Sequence, residues 1–423
     1  MPEIASPRGT RDILPADQAA YRWVLDTHSR VAELHAYRPV ETPIIEATEL
    51  FARAVGSDTD IVEKQMFTFD DRGGRSLTLR PEGTAGVTRA ALAARLDQEL
   101  RPLRLHYAGP MFRAERPQAG RQHQFTQLGI ECIGERSASV DAEVVEIAWR
   151  FFAALGLHGV QLQVNSLGSP EDRARYREAL VAYYEPLRDR LCDDCQRRLD
   201  TNPLRLLDCK RDAQFAESAP KIAASLSRES TEFFGRVLEI LDTAAIPVTL
   251  NPRLVRGLDY YTDTVFEIWH ETLSGAQNAL GGGGRYDGLA ALLGFAATPG
   301  CGYALGVERT IMVAKELGVA PGAAAGVDVL VASVDPPQAA AAARQARTLR
   351  DAGIRTMLDA GERRLDRKLR SADKAGARLA VVVGEDEVRD GNVTVRDLSQ
   401  HSQQRVPEAE LAALTLRILG MQQ

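Results

Sequence analysis

The chain has little that would tie it to a membrane or to an oxidising compartment. Nowhere in its 423 residues is there an apolar run of about 18 residues, the length a spanning helix needs. The start, MPEIASPRGTRDILP, lacks the apolar stretch of a secretory leader. Cysteines are few: Cys132, Cys192, Cys195, Cys209 and Cys301 are odd in number and scattered, which points to reduced thiols in the cytoplasm. Positive charge is not in excess either. With a formal net charge of -6, any nucleic-acid contact must come from a local basic patch. Gly281 to Gly284 form a run of glycines, but without GxGxxG spacing or the Lys-Ser/Thr of a Walker loop, so neither standard nucleotide fold is indicated. What remains is an Ala- and Arg-rich chain long enough for two or three domains, each with its own core.

The most informative stretch is LRLHYAGPMFRAERPQAGRQHQFTQLGIE, residues 103 to 131. Its two ends have strand character, and the polar, cationic loop between them turns at Pro117 and Gly120. Side chains alternate along a strand, so Gln127, Gly129 and Glu131 share one face. Arg113, Glu115, Arg116 and Arg121 lie at or beyond its rim, and guanidinium forks of this kind suit a polyphosphate. The plainer reading is a hairpin with a solvated basic tip.

Other segments add pieces. Tyr21, Val24, Leu25, Val31 and Leu34 have helical spacing after an extended arm, and a Pro-bearing strand around Glu41 to Pro43 suits an edge or a dimer seam. Residues 64 to 90 read as a hairpin passing into a helix, with Glu82, Gly83 and Thr84 at the junction. There side chains and free N–H groups meet, fit for an ammonium group or simply for capping. From Pro170 to about Ala245 the pattern is helical and charged, an inserted module. Within it Cys192 and Cys195 have metal-ligand spacing and Cys209 offers a third thiol. No fourth Cys or nearby His completes a tetrahedron, so structural thiols are expected rather than zinc. PGAAAG, residues 321 to 326, is a linker. Beyond it, strands alternate with helices in a compact α/β domain, residues 327 to 423, whose Arg363, Arg364, Arg367, Lys368 and Arg370 can meet a phosphate backbone or solvent.

Taken together these stretches resemble the class II aminoacyl-tRNA synthetases. The segment around Glu41 to Pro43 is similar to motif 1, Phe112-Arg113-Ala114-Glu115 to motif 2, and GYALGVER, residues 302 to 309, to motif 3. LVRGLDYYTDTVFE (254 to 267) and ALGGGGRYDGL (279 to 289) resemble the two histidine-specific signatures of the histidyl-tRNA synthetase family. The resemblance covers essentially the whole chain. It implies an α+β fold: a catalytic domain over residues 1 to 320, an antiparallel sheet flanked by helices with an insertion at about 170 to 245, then the C-terminal α/β anticodon-binding domain.

It also implies histidine, ATP and the tRNA for histidine as partners, Mg²⁺ as helper, a homodimer, and no membrane. By resemblance Arg113 and Arg256 hold the α-phosphate and the carboxylate during catalysis. Glu115, Arg121, Phe125 and Arg309 serve ATP, Phe125 packing on the adenine. Glu82, Thr84 and Gln127 receive the α-ammonium group, and Glu131 and Tyr261 take the imidazole nitrogens. Gly83, Tyr260 and Tyr286 line the same pocket, and Arg116 and Gln118 face the acceptor end of the tRNA. Two other functions are compatible with such a fold: a histidine-binding regulatory subunit of ATP phosphoribosyltransferase, and an RNA-binding protein built on an inactive synthetase. The first generally lacks the last domain and catalytic positions; the arginines of motifs 2 and 3 argue against the second.

Overall fold

Period-two alternation from Leu103 onward produces a sheet with two unlike faces, and the site rests on one of them. The computed structural model describes residues 4–55, 65–115, 121–255, 260–273, 279–322 and 326–421. The chain divides into two compact units, Met1–Gly322 and Ala323–Gln423. Strands of the first are β1 (Arg38–Pro39), β2 (Ile45–Ala47), β3 (Phe67–Asp70), β4 (Ser76–Leu79), β5 (Leu103–Phe112), β6 (Gln124–Ile133), β7 (Val160–Ser166), β8 (Val248–Leu250), β9 (Thr262–His270), β10 (Ala279–Arg285) and β11 (Gly300–Gly306). Among the described residues they make an eight-stranded sheet, β1-β5-β6-β11-β10-β9-β7-β8, and a three-stranded one, β2-β4-β3.

The inner strands of the large sheet pair antiparallel. The antiparallel sheet flanked by helices that the sequence reading expected is thus present, with parallel pairing added at its edges, β1 on β5 and β8 on β7. The reason is in the connections. Helices lie between each edge strand and its partner, and a crossover of that length permits a parallel return that a tight hairpin does not.

Leu128, Ile130 and Cys132 of β6 and Cys301, Tyr303 and Leu305 of β11 share one core with the helices Pro15–Leu34, Ala138–Ala154, Arg228–Thr243 and Val307–Glu316. The residues between them, Gln127, Gly129 and Glu131 with Gly302, Ala304 and Gly306, therefore face the other way. An ion pair ties sheet to helix: Arg285 Nε donates to Asp141 Oδ1 and Oδ2 at 3.0 and 3.2 Å, and both side chains are 0% exposed. The helical insertion opens on a capping box, Ser169 with Asp172, and its Tyr176, Leu180, Tyr184, Leu199 and Leu206 share one core with Phe51, Tyr260, Tyr261, Val265 and Tyr286 from outside it.

In the second unit, β12 (Val329–Ser333), β13 (Thr356–Asp359), β14 (Leu379–Val383), β15 (Asn392–Asp397) and β16 (Ser402–Pro407) form a sheet in the order β13-β12-β14-β15-β16. Every residue of β12 and β14 is buried, as apolar runs covered on both faces require. One member of the basic cluster departs from expectation. Lys368 is 0% exposed and its Nζ donates to the Ser333 carbonyl at 2.8 Å, so it holds its helix, Leu365–Lys374, to the sheet and does not reach a phosphate. Arg363 pairs with Asp359, also within the unit.

Candidate active site

The site begins where β4 gives way to the helix Thr84–Ala93. The Glu82 carboxylate turns back and accepts from the Thr84 and Ala85 N–H groups at 2.7 and 2.9 Å, closing the helix start with a side chain that precedes it. Burial raises its pKa, against the pull of those two N–H groups. Gly83 is the N-cap, and a Cβ there would stand 2.3 Å from the Tyr107 ring; one on Gly129 would stand 2.2 Å from the same ring. Only glycine at both positions lets a buried tyrosine from β5 lie between the helix start and β6.

Glu131 lies behind this ring. It is 0% exposed and accepts from the Tyr107 hydroxyl at 3.3 Å and from the Tyr286 hydroxyl. Burial raises its pKa from the ordinary 4.5 to about 8, although both hydroxyls oppose the rise. The Tyr260 ring packs tilted against Tyr261 and edge-on against Tyr286, with ring centroids 4.7 and 5.8 Å apart. An aromatic and carboxyl cluster thus floors the site.

Above it is a cavity of ≈ 260 Å³ whose walls include Glu82, Thr84, Gln127, Tyr260 and Tyr261 at one end and Arg113, Glu115, Arg121, Phe125 and Arg309 at the other. Arg113 Nε donates to the Pro81 carbonyl at 2.9 Å, and its guanidinium lies 5.3 Å from the centre of the Phe125 ring. Arg121 meets Glu115 at 2.9 Å, and Arg309 donates to the Ala279 carbonyl at 2.8 Å. Burial lowers the pKa of Arg113 and Arg309, and the Arg121 guanidinium lowers both further, while Glu115 opposes. Cations brought close enough to repel one another form a seat for an anion. Gln127 Oε1 is a buried acceptor on the same wall and, among the described residues, has no hydrogen-bond partner. An acceptor so placed fits a donor carried by a ligand.

Ten of the residues singled out from the sequence therefore line one cavity, and Gly83, Glu131 and Tyr286 stand directly behind its wall. Arg256, Arg116 and Gln118 lie outside the described residues. Sequence reasoning missed Tyr107, which a strand position marks only as core, and Gln122 and Glu267, which join the wall from the hairpin loop and β9. Glu308 entered the sequence reading only within the motif 3 stretch, residues 302 to 309, with no contact assigned to it. In the structure its carboxylate accepts from the Thr126 N–H at 2.9 and 3.0 Å and from the Tyr21 hydroxyl at 3.1 Å, tying β6 to two helices. None of the three clustered cysteines borders the cavity.

A mixed sheet flanked by helices, with an arginine-rich cavity on its open face and an α/β unit following in the chain, defines a class II aminoacyl-tRNA synthetase. The family model for histidyl-tRNA synthetase matches residues 9–310, and that for an anticodon binding domain matches 328–417. Histidine–tRNA ligase of Moorella thermoacetica is 47% identical over 405 residues, spanning 95% of this chain and 96% of that protein. The same enzyme of Dehalococcoides mccartyi is 44% identical over 96% and 97%. Among solved structures, apo histidyl-tRNA synthetase of Staphylococcus aureus is 35% identical, with a TM-score of 0.83 over 98% of this chain and 100% of that one. The chain belongs to the histidyl-tRNA synthetase family.

Proposed function

We propose that this chain is a histidine–tRNA ligase that works in two steps within the cavity just described. A carboxylate oxygen of histidine attacks the α-phosphorus of ATP; the bond to the bridging oxygen breaks and pyrophosphate leaves. A hydroxyl of the terminal adenosine of the tRNA then attacks the histidyl carbonyl and displaces AMP. Negative charge builds at phosphorus in the first step, and fixed guanidinium groups stabilise it without reorganising. Arg113 and Arg256 are assigned to the α-phosphate and the carboxylate, and Arg309, with Glu115 and Arg121 beside it, to the outer phosphates. Phe125 offers its ring to the adenine. Mg²⁺ would screen the remaining phosphate charge; Glu115 and Glu267, carboxylates on the cavity wall, are hard oxygen donors that fit it.

Glu82, Thr84 and Gln127 are assigned to the α-ammonium group, and the open acceptor on Gln127 is the observation that speaks most directly for this end. Glu131 and Tyr261 are assigned to the ring nitrogens, with Gly83, Tyr260 and Tyr286 shaping the pocket. Such a floor rejects apolar side chains of similar size, because its own polar groups would be stranded. Arg116 and Gln118 are assigned to the tRNA acceptor end. A catalytic domain at 1 to 320 and an anticodon-binding domain at 327 to 423 complete the division of labour.

A homodimer is part of the same reading. Ile44 and Ile45 by and on β2, and Phe69 on β3, are 42%, 47% and 42% exposed, apolar surface that a partner would cover. No helix among the described residues is long and apolar enough to cross a membrane; the cytoplasm is the proposed location. The observation carrying the whole proposal is the convergence of Arg113, Arg121 and Arg309 with Glu82 and Gln127 in one cavity. Charging of tRNA with labelled histidine tests it. The full chain should charge, whereas removal of 327 to 423 should abolish charging and leave pyrophosphate exchange intact. Loss of exchange as well would refute the proposed division, and a full chain that exchanges but never charges would refute the ligase reading.

A further inference from the structure

The thiols of the helical insertion meet a fourth donor that the sequence did not disclose. Cys192 is the N-cap of the helix Asp193–Thr201 and Cys195 lies in its first turn, so both thiols gather at one helix end. Cys209 follows the short turn Pro203–Leu206, and Asp212 comes after two further residues, repeating the spacing of the first pair. The Sγ atoms of Cys192 and Cys209 are 3.8 Å apart, and Cys209 Sγ is 3.9 Å from Asp212 Oδ2. One donor atom from each of the four residues lies within 4.8 Å of all the others. A disulfide would need its sulfurs at about 2.05 Å. Thiolates held tetrahedrally at about 2.3 Å from a zinc ion stand roughly 3.8 Å from one another.

We propose that Cys192, Cys195, Cys209 and Asp212 form a structural Zn²⁺ site that fastens the helical insertion. The donors are held ready: Asp212 is buried and its Oδ2 accepts from the Cys192 N–H at 3.0 Å, which fixes the carboxylate before any ion arrives. Soft sulfur ligands select zinc over magnesium or calcium, and four protein donors leave no open position for catalysis. The surrounding lobe is built of short pieces, the helix Asp193–Thr201, the turn Pro203–Leu206 and the helix Ala213–Ala216. Such a lobe has little regular backbone pairing, and a metal staple supplies what it lacks. Three thiolates and a carboxylate outweigh the charge of the ion; Lys210 and Arg211, between the third and fourth donors, offset the excess.

The test uses the full chain, purified without a metal-affinity tag under reducing conditions. Elemental analysis should find about one zinc per chain. After chelation, Co²⁺ added alone should give a sulfur-to-metal charge-transfer band and the intense visible bands of tetrahedral cobalt, bleached by one equivalent of Zn²⁺. Cys209→Ser and Asp212→Ala should each retain less than about a tenth of the wild-type zinc after dialysis against a weak chelator. The cobalt readout on the unaltered chain needs no variant to fold. Absence of zinc after stoichiometric reconstitution, a cobalt spectrum without the sulfur band, or equal zinc in wild type and variants would each overturn the assignment.

Discussion

Replacing Glu131 by Gln isolates the most perturbed acid in the site. The wild-type carboxyl is fully buried between Tyr107 and Tyr286, with a pKa raised from 4.5 to about 8. A carboxyl raised on folding keeps its proton in the folded state after the unfolded chain has lost it. Its contribution is therefore fully present below 4.5 and is lost as pH rises towards 8. Between pH 5.5 and 7.5 each pH unit costs about 1.4 kcal/mol, so the wild type should lose about 2–3 kcal/mol over that range which the Gln variant does not. Urea unfolding followed by tryptophan fluorescence reads the first unit alone, because all three tryptophans, Trp23, Trp149 and Trp269, lie there. The same variant keeps an amide oxygen but can no longer give up a proton and meet the ring as an anion, so with Glu131 assigned to a ring nitrogen histidine should bind more weakly by about 1–3 kcal/mol. Parallel stability profiles for the two proteins would refute the buried, proton-holding carboxyl; unchanged histidine affinity would remove Glu131 from the ring contact.

Arg256→Ala should slow adenylate formation by roughly 100- to 1,000-fold while histidine affinity stays within about threefold, as expected of a group that meets developing charge. Equal losses of rate and binding, measured by single-turnover kinetics and calorimetry, would contradict that role. Gly302→Ala places a Cβ 2.0 Å from Glu131 Oε2 and 2.3 Å from the Ile130 carbonyl. It should destabilise the first unit by about 1–3 kcal/mol and weaken histidine binding, and a variant that melts and binds like wild type would show that β11 can yield. Asp141→Asn leaves the buried guanidinium of Arg285 with Asp287 as its one carboxylate partner among the described residues and should cost about 1–3 kcal/mol in urea unfolding; no measurable loss would mean that Asp287 alone balances the charge.

What was legible in the sequence was what is local along the chain. Alternation along β6 put Gln127, Gly129 and Glu131 on one face before any partner strand was known, and the β4-to-helix junction exposed Glu82 and Thr84. What escaped depends on which distant segments pair. Tyr107 becomes part of the floor only because β5 and β6 align it with Gly129 while Gly83 approaches from the preceding helix. Glu267 reaches the cavity through the register of β9 on β10, and the parallel edges follow from crossovers that no strand pattern encodes. Asp212 was invisible as a ligand because an aspartate near a cysteine is common, and only the return of the chain brings it to Cys192. Lys368 shows the reverse: a cation in a basic run reads as surface, yet its helix turns it inward.

Histidine-dependent exchange of labelled pyrophosphate into ATP measures, without any tRNA, the joining of histidine to ATP proposed for the cavity. Exchange that requires histidine, and that falls by roughly 100-fold or more when Arg113 is replaced by Ala, is the predicted result. A purified chain that binds histidine by calorimetry and still supports no exchange would contradict the account and favour a regulatory histidine-binding protein.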